Sequence, residues 1–265
     1  MESYLVNHEA QFRLGVFLSI LVSVCVLEVF FPKRKLNYKR IVRWPNNIGI
    51  VILNTLALRF VIPLSAVGTA LYAETHSLGL FNQLQWPFWL VSISSVIFLD
   101  LVIYTQHVVF HRVPILWRLH RMHHADRDYD FTLGSRFHPI EIVLSMLIKV
   151  AIVFSFGIPV VSVILFEMIL NGMAMFNHGN FRIPFKLDAL LRLILVTPDM
   201  HRVHHSDIPA ETHSNFGFNL SCWDRLFKTY ISQPQKGHKE MTIGLPIFKD
   251  SKYLKLPYML KIPFE

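Results

Sequence analysis

The sequence is short of charge and nearly without cysteine. Of its 265 residues, 17% are Asp, Glu, Lys or Arg, whereas 52% are hydrophobic. Mean hydropathy is +0.40. A soluble domain carries about 25% charged residues, so this balance excludes an ordinary soluble fold and points to a membrane. Two cysteines, Cys25 and Cys222, cannot build a disulfide framework, and no Cys-x-x-Cys pair exists for a zinc ribbon. Any metal chemistry must therefore use nitrogen and oxygen ligands. His-Glu-x-x-His, Gly-x-Ser-x-Gly and the phosphate-binding loop are also missing, which argues against the common zinc-protease, serine-hydrolase and nucleotide readings. The start, Met1-Glu2-Ser3-Tyr4, lacks the basic stretch of a cleavable signal, so the first apolar run is expected to stay in the bilayer. The end, Lys261 to Glu265, carries no KDEL-like signal.

The apolar residues that remain are arranged in spans. A helix crossing a bilayer needs about 20 mostly apolar residues. Candidates run from Leu14 to Phe31, from Asn47 to Ala73 with Arg59 and Pro63 inside, and from Pro87 to Phe110. The region Pro139 to Phe176 is too long for one span. Gly157 and Pro159 near its middle predict a turn, so it reads as a helical hairpin, although its halves are short and Lys149 falls within the first. Phe185 to Val196 mixes apolar residues with Lys186, Asp188 and Arg192, the pattern of an interfacial helix. Trp44, Trp86 and Trp89 sit at span boundaries, where indoles concentrate.

The net charge of +8 would suggest nucleic acid in a soluble protein. Here the basic residues flank apolar runs, so a membrane surface is the partner and no nucleic acid is expected. Lys33, Arg34, Lys35, Lys39, Arg40 and Arg43 crowd the loop after the first span, which assigns it to the cytoplasm. Residues 74–86 contain no Lys or Arg and suit the opposite side. On that topology every histidine-rich stretch reaches the cytoplasmic boundary.

Eleven of fourteen histidines lie between 107 and 213. His107-Val-Val-Phe-His111 places two imidazoles one helical turn apart. His120-Arg-Met-His123-His124 and His201-Arg-Val-His204-His205 each let three imidazoles share a helix face. His138 and His178 stand alone. Imidazole binds iron, copper, nickel and zinc. Nine or ten such ligands are too many for one ion and suit two ions with four or five each. Breaking a strong C–H bond with dioxygen needs a redox metal, because no side chain does that chemistry. Metal-bound histidines usually donate their second N–H to a carboxylate or carbonyl. Asp100, in one helical stripe with Tyr104, His107 and His111, and Asp199, two residues before His201, are the carboxylates expected to support catalysis. Glu141 is placed for the same service, and Arg59 is a competing partner for Asp100. His8, His76 and His238 are read as bystanders, and the role of His213 stays open.

Together these motifs resemble the fatty acid hydroxylase/sterol desaturase superfamily. The carrying residues are the three histidine motifs, Pro114-Ile-Leu-Trp117, Arg136-Phe-His-Pro-Ile-Glu141, Asn177-His178 and the stretch Asn215 to Tyr230 with Trp223-Asp224-Arg225. The resemblance covers roughly residues 90–235. It implies an all-α polytopic membrane protein with four or five transmembrane or re-entrant helices and a cytoplasmic helical cap. As one domain, 1–265 would divide into transmembrane helices (1–110), a first histidine segment (111–138), the hairpin (139–177) and the cap (178–265). The resemblance implies two irons, with zinc a possible substitute, held by His107, His111, His120, His123, His124, His138, His178, His201, His204 and His205. It further implies O2, a separate electron-donor protein, and a lipid or sterol-like substrate that is hydroxylated or desaturated. The membrane would be a bacterial inner membrane or the endoplasmic reticulum. His213 departs from the family pattern, where an acid or amide is expected. Asn215 and Trp223-Asp224-Arg225 are expected to stabilise the cap. Two other readings of the residues remain: a zinc-dependent membrane hydrolase, and a non-enzymatic metal-binding or transport protein.

Overall fold

The computed structural model describes residues 2–62 and 64–265; Pro63, expected to interrupt the second span, lies outside them. Among the described residues the structure is helical, with three isolated bridges and no strand. Helix α1 (Glu9–Phe30), α2 (Arg40–Val61), α3 (Ala66–Thr75) and α4 (Phe88–Arg112) come first. They are followed by α5 (Pro114–His124), α6 (Pro139–Phe156), α7 (Val160–Asn177), α8 (Phe185–Leu191) and α9 (Pro198–His204). Among the described residues, five helical stretches are long and apolar enough to cross a bilayer: 9–30, 40–83, 88–112, 139–156 and 160–177. The expected second span, 47–73, is thus divided between α2 and α3.

The outer surface of these helices requires lipid. On α1 only Val24 and Glu28 are buried. Leu14, Val22, Val29 and Phe30 are 58–70% exposed. Leaving such a side chain in water rather than in an apolar medium costs about 1.5–3 kcal/mol, and the same holds for Phe60, Trp89 and Ile93 on α2 and α4. The chain is therefore a multi-pass membrane protein.

Sequence punctuation sets the helix ends. Gly157, at φ +63°, closes α6. A Cβ there would stand 2.3 Å from the Leu78 carbonyl, so only glycine fits. Pro159 then caps α7, completing the hairpin at the predicted turn. Glu74 meets this turn, accepting from the Val160 N–H at 3.2 Å, so residues 74–83 share the end opposite the histidines. Lys149 is neutralised within the helices: it donates to Glu167 at 2.9 Å, and Arg13 of α1 donates to the other carboxylate oxygen at 2.7 Å. Each half of the hairpin has 18 residues, about 27 Å of helix against a hydrocarbon core of about 30 Å.

At the histidine end the basic loop folds onto the cap. Arg43 is fully buried and grips Asp126 through Nε and Nη2, both at 2.9 Å, and Asp130 through Nη1. Arg136, also fully buried, donates to the carbonyls of Met122 and Tyr253. Lys33 reaches Asp199 at 2.6 Å, and Arg34 holds the carbonyls of Lys239 and Met241. The loop 33–43 and the histidine-bearing segments therefore occupy one end of the helix bundle.

Candidate metal centre

Four short structural decisions aim the imidazoles. His107 and His111 occupy the last turns of α4. Pro114 forces Val113 into an extended conformation and starts α5 at once, so the chain turns back and brings His120, His123 and His124 beside α4. His178 is the C-cap of α7. Thr197 caps α9 by accepting from the Met200 N–H, and Pro198 fills the first helical position, which fixes His201, His204 and His205.

The imidazoles sort into two groups. His107, His111, His120, His124 and His204 form one; His123, His178, His201 and His205 form the other. Within each group the candidate ligand atoms lie within 4.8 Å of one another, and all nine residues are buried. The groups adjoin, with the His124 and His205 rings 4.6 Å apart and the His120 and His123 rings 5.3 Å apart. Neither triple motif serves a single group. His120 and His124 belong to the first while His123 belongs to the second; His204 belongs to the first while His201 and His205 belong to the second. Rings that share a helix face therefore divide between two neighbouring groups. Spacing i, i+4 keeps partners together, and the residue one position removed turns about 100° away.

Unpaired nitrogens mark both groups. In the first, the Nε2 atoms of His107, His111, His120, His124 and His204 are all buried without a hydrogen-bond partner. Three of their Nδ1 atoms face outward to fixed acceptors: the Phe216 carbonyl at 2.8 Å for His107, Glu141 Oε1 at 2.6 Å for His120, and the Ser214 carbonyl at 2.6 Å for His204. An imidazole that donates through Nδ1 presents a lone pair at Nε2. In the second group, His178 donates Nδ1–H to the Ala174 carbonyl at 2.8 Å, and its Nε2 lies 3.1 Å from His201 Nε2 and 3.3 Å from His123 Nε2. With its Nδ1–H given to Ala174, His178 turns an acceptor nitrogen toward two other Nε2 atoms, and the three converge on a point a cation could occupy. Leaving so many buried polar atoms unsatisfied would cost about 1–3 kcal/mol each.

Electrostatics agree. Burial, reinforced by neighbouring imidazoles, pushes His123, His124, His201, His204 and His205 well below the ordinary imidazole value. Burial brings His178 down to about 4. All are neutral at physiological pH, the form that binds metal. Aromatic rings wall the site from water: Phe137 stacks on His123 at 4.4 Å, Trp117 lies 4.7 Å from His111, and Phe216 lies 5.1 Å from His111.

His138 does not join either group. Its Nδ1 accepts from the Ile140 N–H, capping α6, and its ring neighbours Phe264. The residue that the resemblance offers as a tenth ligand serves here as a helix cap. Asp100 and Asp199 touch none of the grouped imidazoles. Asp100 accepts from the backbone N–H groups of Asn219 and Leu220 and from Trp223 Nε1 at 2.8 Å, anchoring the cap loop to α4. Asp199 pairs with Lys33 and Arg202; burial raises its carboxyl, but Arg202, His238 and Lys33 outweigh that and pull it down to about 2. Glu141 is the carboxylate that does contact an imidazole. Asn215, at φ +49°, ties Met200 to Ile231, and Asp224 accepts from the N–H groups of Phe216 and Gly217 at 2.8 Å, so these residues hold the loop that carries the His107 acceptor. His213 is exposed and sits 3.1 Å from His111 Nδ1. The carbonyls of Phe216 and Ser214 escaped sequence reasoning, since no side-chain pattern signals a backbone acceptor.

Comparison with known proteins places these features among lipid-oxidising enzymes. The fatty acid hydroxylase family profile matches residues 92–229, just over half of the chain. An ornithine lipid hydroxylase of Rhizobium tropici is 25% identical over 237 residues, covering 86% of this chain and 70% of that protein. An alkylglycerol monooxygenase of Xenopus tropicalis is 28% identical over 156 residues, 57% of this chain and 32% of its own length. Human lathosterol oxidase is 29% identical over 182 residues, 65% of this chain and 58% of that one. The chain thus spans less than two thirds of the latter two proteins. No solved structure matches.

Proposed function

Starting from the fact that this chain belongs to the fatty acid hydroxylase family, we propose that it is a membrane oxidoreductase that uses O2 to hydroxylate or desaturate a lipid or sterol-like substrate at a centre of two irons. Electrons come from a separate donor protein, and the centre lies on the cytoplasmic side. The observation that carries the reading is the pair of buried imidazole groups, five and four strong, whose inward nitrogens lack a partner in the first group and chiefly face one another in the second.

The residues fit two ions. His107, His111, His120, His124 and His204 would hold one, and His123, His178, His201 and His205 the other. Bound iron supplies the one-electron oxygen chemistry that side chains lack. The chain's own residues do the rest. Glu141 and the carbonyls of Phe216 and Ser214 orient their imidazoles by accepting Nδ1–H. Phe137, Trp117 and Phe216 keep water away from the site. Because α4 and α7 end at the groups, a lipid that enters between helices has its target carbon at the bilayer boundary. The ornithine lipid, alkylglycerol and sterol named in the relatives support a lipid substrate class. Arg and Lys crowding in the 33–43 loop supports the cytoplasmic side.

The test is lipid profiling of cells with and without the gene, paired with metal analysis and O2 uptake by the purified protein. A lipid gaining one oxygen or losing two hydrogens, with two metals per chain, is expected. His123→Ala and His204→Ala, one from each group, should each lose metal and activity. Activity surviving either change at normal protein level would sink the assignment. Zinc with hydrolysis and no O2 uptake would favour a hydrolase; metal flux in vesicles would favour a transporter.

A further inference from the structure

A basic recess opens at the end of the helix bundle that carries the 33–43 loop. Phe31, Lys33, Arg182, Ile183, Pro184 and Lys239 line an open recess of about 420 Å³. Three of the six are cationic and none is acidic. We propose that this recess seats the phosphate of an anionic lipid headgroup, with the lipid's chains lying against the neighbouring apolar surface.

The recess is preformed. Segment 31–33 is locked to segment 180–182: Arg182 N–H donates to the Phe31 carbonyl at 2.9 Å, Lys33 N–H donates to the Asn180 carbonyl at 3.1 Å, and Pro32 bridges Phe181. Arg34 draws residues 239–241 against the same edge through the Lys239 and Met241 carbonyls. The cations differ in their commitments. Lys33 is taken by Asp199 at 2.6 Å. Arg182 donates Nε–H to the Pro32 carbonyl at 2.8 Å, which fixes its stem and leaves its Nη groups without a protein partner among the described residues. Lys239 is exposed, and its ammonium has no carboxylate partner among the described residues. Two cations thus line one recess, and neither has a carboxylate partner among the described residues. A planar guanidinium beside an ammonium is a phosphate-binding combination.

The surroundings select a lipid over a soluble anion. Phe30 and Phe31, at the end of α1, are 70% and 57% exposed, and Phe185 and Leu190, just past Pro184, are 76% and 63% exposed. The charged recess is therefore flanked by apolar surface on both sides. A headgroup with acyl chains satisfies both features; a free phosphate uses only the first. The site also adjoins the second histidine group through the chain itself, since Lys33 pairs with Asp199, two residues before His201, and Arg182 follows His178 by four. The recess shares no lining residue with the imidazole groups, so the inference does not require the chain to be an oxygenase.

The experiment uses the full chain purified in detergent micelles and titrated with fluorescent phosphatidylglycerol. Unlabelled phosphatidylglycerol, phosphatidylcholine and inorganic phosphate serve as competitors. Each Lys or Arg near a membrane surface contributes about fivefold in affinity for anionic lipid. Arg182→Gln with Lys239→Gln should weaken binding roughly 25-fold. Lys249→Gln with Lys255→Gln, an equal change of charge at exposed positions elsewhere on the cap, should stay within about twofold of wild type. Phosphatidylcholine and inorganic phosphate should compete poorly. Equal weakening in both double variants would show diffuse attraction and overturn the proposal, as would unchanged binding in the first. Inorganic phosphate competing as well as phosphatidylglycerol would make this a free-anion site and overturn the lipid assignment. Metal content is measured in every variant and should not change. If the double variant loses its metals, the exposed Lys239→Gln alone decides, with about a fivefold loss expected. Oxygen uptake plays no part, so failure here leaves the oxygenase reading standing.

Discussion

Replacing Glu141 with leucine removes one hydrogen bond from one imidazole of the five-histidine group and nothing else of comparable strength. Glu141 Oε1 accepts from His120 Nδ1 at 2.6 Å, and both side chains are 5% exposed. A buried hydrogen bond to a charged acceptor is worth about 1.5–3 kcal/mol. At 1.4 kcal/mol per decade, that is roughly a 10–150-fold loss in affinity for the ion held by the five-histidine group. Losses of 10–100-fold are general when such supporting partners are removed, so two lines of reasoning converge. The four-histidine group makes no contact with Glu141 and should keep its ion. The assay is chelator competition on purified protein, read as metal bound per chain. Wild type should take up two ions in the tight range. Glu141→Leu should show one tight and one weakened site. Glu141→Gln, which still accepts but without charge, should fall between. A Glu141→Leu protein that binds both ions within about twofold of wild type would refute the claim that this carboxylate orients His120.

Three further outcomes follow from the same geometry. Asp100→Ala strands three donors at the α4–cap junction and should lower stability by about 3 kcal/mol, with Asp100→Asn milder; a melting temperature within a degree of wild type would show that the cap does not rest on this carboxylate. For pH, burial holds His178 at about 4 in the folded chain, against about 6.5 when unfolded. The unfolded metal-free chain therefore takes up a proton that the folded chain refuses, so this contribution is complete above about pH 6.5 and is lost as pH falls toward 4. His178 alone should remove about 2 kcal/mol by pH 5, and a flat melting temperature for metal-free protein between pH 7 and pH 5 would contradict it. Finally, with Cys25 and Cys222 replaced by serine, cysteines at Lys35 and Ala210 should label from one side of the membrane and a cysteine at Ser77 from the other; labelling of Lys35 and Ala210 from opposite sides would break the proposed topology.

Much of this protein was legible before any coordinates. Span positions follow from a local quantity, apolar length against bilayer thickness, and the Gly157–Pro159 turn from the conformations those residues allow. The set of histidines was legible because i, i+4 spacing is itself a statement about helix faces. Glu141 was visible as a carboxylate near the motifs. The stripe through Asp100 was also visible, but its meaning was not: the carboxylate is claimed by Trp223 and two backbone N–H groups more than a hundred residues away. His138 stands outside both groups for a related reason, since a ring beside Pro139 serves the nearest unsatisfied N–H. The partition of nine imidazoles into five and four belongs to the tertiary structure alone. It depends on how α5 folds back on α4 and how α9 crosses them, and no local spacing encodes an angle between helices. Sequence determined which groups are chemically able to bind metal and that they gather at one end of the helices; packing decided which of them meet, because a ligand set is defined by distances that span the whole chain.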